Sequence, residues 1–118
     1  MFHGRGKLSD KLNDVVIAGE FRSGKAHGFA RITYGDKSQY EGEVANGVRH
    51  GRGVYTYPDK VSKYEGLFEE DNYHGHGELA MKDGVEYKGE FKNGAFHGRG
   101  EYLTKEFRYI GEFRHGNL

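Results

Sequence analysis

The pair His-Gly recurs along this chain at His3-Gly4, His27-Gly28, His50-Gly51, His74-Gly75 and His97-Gly98, at spacings of 24, 23, 24 and 23 residues. A second anchor stands ten residues before each later pair: Ile17-x-Gly19, Tyr40-x-Gly42, Tyr64-x-Gly66 and Tyr87-x-Gly89. Tyr109-x-Gly111 opens a further unit, and eighteen of the twenty glycines fall into four phases of the repeat, with only Gly35 and Gly84 outside them. A period of this length means that one small supersecondary unit is reused and stacked on its own copies. A single closed core is thereby ruled out as the organising principle.

Within a unit, Ile17-Ala18-Gly19-Glu20-Phe21 alternates apolar and polar residues as a half-buried strand does. The tetrad Ser23-Gly24-Lys25-Ala26 reads as a turn, residues 28–34 run back, and Gly35-Asp36 turns the chain again. The next units repeat this with incoming strands over 39–44, 63–68 and 85–91, returning strands over 51–57, 75–81 and 98–104, and a last strand over 107–113. Asp71 stands where Gly24, Gly47 and Gly94 stand in the other units, and Asp tolerates left-handed geometry better than most side chains. No window holds a helical period. The expected fold is therefore all-β: an elongated, single-layer, twisted antiparallel sheet of consecutive hairpins. It is expected as one array over 1–118, with a half repeat over 1–16, repeats over 17–39, 40–63, 64–86 and 87–108, and a half repeat over 109–118.

Composition narrows the function classes. Leu, Ile and Val are scarce, while nine Tyr and eight Phe recur with the repeat, which suits rings packed on neighbouring rings and glycine backbone. Eighteen basic and eighteen acidic residues balance, so no long-range field draws the chain to nucleic acid. The absence of cysteine removes disulfides and thiolate metal sites and fits a cytoplasmic protein. No signal peptide or membrane-spanning run is read in it.

The histidines invite a catalytic or metal reading, but their spacing argues against it. Units one hairpin apart advance the sheet by about 10 Å. Imidazoles in such a row are too far apart to share a zinc, whose ligands lie near 2 Å from the ion, or to pair as acid and base. His27, Gly28, His50, Gly51, His74, Gly75, His97 and Gly98 are read as structural turn residues, each ring bonding the turn of its own hairpin. The Gly-rich strings lack the helix and Lys-Ser/Thr ending of a phosphate loop. No enzyme, cofactor or metal is expected.

Binding is the expected role. One face collects the aromatic residues and the other Glu20, Glu41, Glu43, Glu65, Lys88, Glu90 and Glu112. If the sheet curls, Tyr34, Tyr55, Tyr57, Tyr64, Tyr87, Phe91 and Tyr102 line a concave strip suited to a peptide segment, since tyrosine offers rigid area and a hydroxyl at low entropic cost. Phe2, Tyr73 and Phe96, each just before a histidine, form a second patch along the turn edge.

The unit Tyr87-x-Gly89-x-Phe91, Gly94, His97-Gly98-x-Gly100 and Tyr102 resembles the MORN (membrane occupation and recognition nexus) repeat, and Tyr40-x-Gly42, Gly47, His50-Gly51-x-Gly53 and Tyr55 match it nearly as well. Departures are Ile17 for Tyr, Ala30 for the second glycine of His-Gly-x-Gly, Val44 for the aromatic and Asp71 for Gly. The resemblance implies a non-enzymatic, protein-binding scaffold or adaptor that holds a peptide or assembles a cytoskeletal or membrane-proximal complex. Its alternative is direct phospholipid binding or membrane tethering. Homodimerisation through terminal repeats or open sheet edges is also implied.

Overall fold

A computed structural model describes residues 4–114. It contains ten strands: β1 (Gly4–Asp10), β2 (Val15–Arg22), β3 (Lys25–Thr33), β4 (Gln39–Ala45), β5 (Val48–Thr56), β6 (Lys63–Glu69), β7 (Asn72–Ala80), β8 (Glu86–Lys92), β9 (Ala95–Leu103) and β10 (Arg108–Phe113). They form one antiparallel sheet in sequence order from β1 to β10, so the array is an open meander and not a barrel. Its extents of 50 × 25 × 19 Å show the long axis running across the strands.

The turns at one edge are set by paired left-handed residues. Ser23 and Gly24 have φ of 52° and 81°, Asn46 and Gly47 52° and 85°, Asn93 and Gly94 50° and 87°. Two successive positive φ values define the two-residue hairpin turn whose twist matches that of the flanking strands. Glu70 and Asp71 reach the same geometry at 49° and 71° without glycine.

The four-residue turn expected at Ser23–Ala26 is shorter than that, and the returning strands begin about three residues earlier than the sequence pattern indicates. The reason lies in the His-Gly pairs. In the β4–β5 hairpin, Gly42 opposes Gly53 and Val44 opposes Arg49, so the single residue Glu43 faces three: His50, Gly51 and Arg52. The same count holds for Leu67 against His74–His76 and for Glu90 against His97–Arg99. His-Gly-x is thus a bulge inside the returning strand, not the turn. Gly51 and Gly75 sit at φ of 97° and 80°, a region that side chains avoid.

A bulge leaves a carbonyl without its ladder partner, and the tyrosine of Tyr-x-Gly supplies one. Tyr40 Oη donates to the Glu43 carbonyl at 2.5 Å, Tyr64 Oη to that of Leu67 at 2.7 Å, Tyr87 Oη to that of Glu90 at 2.7 Å and Tyr109 Oη to that of Glu112 at 3.0 Å. To reach it each ring lies across glycine backbone. The register aligns Gly6, Gly19, Ala30, Gly42, Gly53, Gly66, Gly77, Gly89, Gly100 and Gly111 into one furrow spanning all ten strands. A methyl added at Gly53, Gly77 or Gly100 would overlap the ring of Tyr40, Tyr64 or Tyr87. Ala30 is the exception, and it faces Gly19 two residues along from Ile17, which replaces the tyrosine. The two departures from the repeat are one compensated change: without a ring to seat, the furrow accepts a methyl.

Phenylalanines lock the units together. Phe68 meets Tyr40 and Tyr64 edge-on at 5.0 and 5.1 Å, and Phe91 meets Tyr64 and Tyr87 at 5.1 and 5.0 Å. Phe113 continues the zigzag to Tyr87 and Tyr109 at 5.1 and 5.2 Å. Edge-to-face pairs of this kind add about 0.5–1.5 kcal/mol each beyond their burial. This is how a one-layer sheet closes Tyr40, Tyr64 and Tyr87 off from solvent at 0% exposure.

Candidate functional site

The inner, aromatic face and the outer, charged face fall as the alternation dictates: every acidic residue assigned to the outer face is exposed. The inner strip itself divides. Tyr64, Tyr87 and Phe91 belong to the closed core, at 0%, 0% and 3% exposure, so a partner resting on the sheet does not touch their rings. Tyr34, Tyr55, Tyr57 and Tyr102 are half-buried and keep an accessible side. The correction is physical: Tyr64 and Tyr87 fold over the glycine furrow to reach their bulge carbonyls and Phe91 wedges edge-on between them, while Tyr34, Tyr55, Tyr57 and Tyr102 make no such carbonyl bond.

The residues preceding the histidines also move. Tyr73 and Phe96 are not an edge patch. They oppose Phe68 and Phe91 across their hairpins and stack flat on Tyr64 and Tyr87, at 3.8 Å and 7° and at 4.0 Å and 9°. Phe2 lies outside the described residues. The same position in the second unit is Arg49, whose guanidinium lies 5.2 Å from the Tyr55 ring centre, 5.4 Å from Phe68, 5.9 Å from Tyr34 and 6.0 Å from Tyr40. A cation over aromatic faces replaces the missing ring. Asp71 holds it there: the Arg49 backbone N–H and Nε donate to Asp71 Oδ1 at 2.8 and 3.2 Å, and Nη2 donates to the Asp71 carbonyl at 2.7 Å. Sequence reading takes Asp71 as a tolerated turn residue and Arg49 as one of the scattered arginines, without pairing the two. Their matching departures in adjacent units were the available signal.

Beside this pair the inner face opens into a depression of about 280 Å³ lined by Arg49, Tyr55, Tyr57, Asp71, Asn72, Tyr73 and Gly94. Its wall is stiff. Tyr57 Oη and Tyr73 Oη are 2.5 Å apart, and the Tyr55 and Tyr57 rings meet edge-on at 5.0 Å. Burial raises the phenols of Tyr34 and Tyr57 above their ordinary value, and raises Tyr73 further, with the bond to Tyr57 adding to it. All three are neutral at physiological pH and serve as apolar walls carrying hydroxyls.

The histidines form the expected row, but they reach outward. His27 Nδ1 accepts from the Asn46 backbone N–H at 3.4 Å and His50 Nδ1 from that of Glu70 at 3.5 Å, in each case the turn of the following hairpin and not of its own. Gly47, Asp71 and Gly94 N–H groups donate to the Ala26, Arg49 and Tyr73 carbonyls at 2.9, 3.0 and 3.0 Å, so successive turns are chained together. His74 instead pairs through Nε2 with Glu69 at 3.0 Å. The row couples repeats. Among the described residues no three His, Asp or Glu side chains gather as a metal site, and no helix is long and apolar enough to cross a membrane.

Chemically, the arrangement offers aromatic walls carrying hydroxyls and a fixed guanidinium–carboxylate pair. Comparison with curated proteins returned no significant match. The family model for the MORN repeat matches residues 18–39, 40–61, 64–85 and 87–104, unit by unit. Periodicity, bulge geometry and this match agree, and the chain belongs to the MORN-repeat family.

Proposed function

We propose that the chain is a non-enzymatic scaffold or adaptor that holds a segment of a partner protein on its inner face, over Tyr34, Tyr55, Tyr57 and Tyr102. The observation that carries this reading is the depression beside Arg49. It combines half-buried tyrosines, a polar rim of Asp71 and Asn72 and a wall already braced by the Tyr57–Tyr73 bond. Rigid amphipathic rings lose little entropy on contact, which is why they dominate binding hot spots. The repeat architecture supports the same role, since solenoid arrays use their extended faces for binding. Membrane-proximal or cytoskeletal assembly belongs to this proposal as its setting.

A photo-crosslinking amino acid placed at Tyr57, and separately at Glu65 on the outer face, tests it in cell extract. The expected result is capture of a discrete protein set from position 57 that is absent from position 65, with the crosslink mapping to one partner segment. Equal capture from both faces, or capture lost on removing membranes from the extract, overturns the reading.

A further inference from the structure

The balanced charge of the whole chain hides a separation on its outer face. On β1–β3 that face carries Arg5, Lys7, Arg22, Lys25 and Arg31 against one carboxylate, Glu20, whose Oε2 accepts the Phe29 backbone N–H at 2.9 Å. From β4 to β8 the same face carries seven carboxylates, Glu41, Glu43, Glu65, Glu69, Glu78, Glu86 and Glu90, against four cations, Arg52, Lys63, Lys88 and Lys92. The cations of β1–β3 lie on three different strands, and the hairpin register brings them to one end of the sheet.

At the centre of the cationic end is a notch of about 340 Å³ lined by Arg5, Gly6, Ala18, Gly19, Phe29 and Arg31. It exists because Gly6, Ala18 and Gly19 leave the middle of β1 and β2 almost bare. Phe29, half of it exposed, forms a wall, and the two arginines flank the opening. Arg31 pairs with Glu41 at 2.8 Å, but both side chains are at least half exposed, so the pair is worth little and yields readily. Arg22 Nη1 lies 3.2 Å from His27 Nε2.

We infer that this notch binds an acidic peptide segment, carboxylates on the Arg5 and Arg31 guanidiniums and one apolar side chain against Phe29. Charge complementarity selects an anion, and the notch beside an exposed ring selects one with an apolar anchor. An anionic bilayer fits worse: a plane resting on the outer face also meets Glu65, Glu78, Glu86 and Glu90, where repulsion opposes it, whereas a peptide confined to the notch meets Glu41, already paired with Arg31, and Glu43, which accepts the Arg52 backbone N–H. The surface lies opposite the tyrosine face and does not depend on the function proposed above.

The probe is a fluorescein-labelled peptide of roughly eight Glu and Asp residues with one central Leu, which extended matches the length of β3. Its anisotropy is titrated with the full chain from about 50 to 200 mM salt. Saturable binding that weakens with salt is expected. Arg5→Glu/Arg31→Glu should weaken it at least about tenfold, and Phe29→Ser about threefold or more. Lys88→Glu, far along the outer face, and Tyr57→Ala, on the inner face, should leave it unchanged. Circular dichroism confirms that each variant keeps its sheet. No binding, equal loss from Lys88→Glu, unchanged binding after Phe29→Ser, or tighter retention on phosphatidylserine-containing vesicles than on the peptide each overturns the inference.

Discussion

The two ends of the array solve one packing problem with different side chains. From β5 to β10 the core is a ring lattice: Tyr64 and Tyr87 lie in the glycine furrow, Tyr73 and Phe96 stack on them, and Phe68, Phe91 and Phe113 bridge one unit to the next. From β1 to β4 the same positions hold Ile17, Ala30, Ala26 and Val44, with Phe21 and Tyr40 the rings of the set. The aliphatic end keeps the register and the bulges but at Ile17 gives up the hydroxyl bond that Tyr40 and its counterparts make to a bulge carbonyl. The hairpin order therefore does not depend on the aromatic lattice. The lattice adds coupling between units and prepares the stiff inner wall near Tyr57.

High pH should separate the two ends most strongly. Burial raises the phenols of Tyr40, Tyr64, Tyr73 and Tyr87 above the ordinary tyrosine value. A folded-state pKa above the unfolded one favours the neutral form, so this stabilisation is complete below about pH 10 and is lost as pH rises beyond it. Far-UV circular dichroism followed with tyrosinate absorbance should show sheet loss accompanying ionisation above that pH. A sheet signal that survives full ionisation would contradict the ring-lattice account.

A single truncation comes next. Tyr64→Ala removes a ring that touches Phe68, Tyr73 and Phe91 together with the bond to the Leu67 carbonyl. It should cost about 3–5 kcal/mol. Val44→Ala at the other end, a smaller buried group without a polar bond, should cost about 1–3 kcal/mol. Urea titrations of the two variants measure the gap, and equal losses would erase the distinction between the ends.

Much of this was legible in the sequence because it depends on periodicity. The interval between His-Gly pairs fixed the number and order of hairpins, and alternation separated Glu41 and Glu65 from Tyr40 and Tyr64. Two features escaped because they depend on a count that periodicity does not reveal. The bulge puts three residues opposite one, so His50-Gly51 looked like a turn and Tyr73 and Phe96 looked like edge residues. For the tyrosines of the strip, burial goes with a bulge carbonyl within reach of the hydroxyl. That condition closed Tyr64 and Tyr87 and left Tyr55 and Tyr57 half open.

The Ile17–Ala30 pair yields a sharper test of moderate size. Gly77→Ala puts a methyl into the Tyr64 ring and should destabilise by about 1–3 kcal/mol through overpacking. The double variant Tyr64→Ile/Gly77→Ala copies the first unit into the third. It should lose less than the sum of the two single variants, with a coupling of about 1 kcal/mol or more. Strict additivity in that cycle would mean that Ile17 and Ala30 are independent departures.

The smallest effect should come from Asp71→Gly, where two terms oppose. Glycine relieves the left-handed φ of 71° and restores the repeat consensus, a gain of about 0.5–1 kcal/mol. It also removes the carboxylate that accepts from Arg49 at 2.8 and 3.2 Å, and charge-assisted bonds of this kind are worth about 1.5–3 kcal/mol when sheltered. Arg49 is only 19% exposed but Asp71 is 49% exposed, so the lower end of that range applies. The net should be a loss of about 1 kcal/mol, read as a shift in the urea midpoint at unchanged slope. A gain in stability would show that Asp71 contributes nothing by holding Arg49. The guanidinium would then owe its place among Tyr34, Tyr40, Tyr55 and Phe68 to the rings alone.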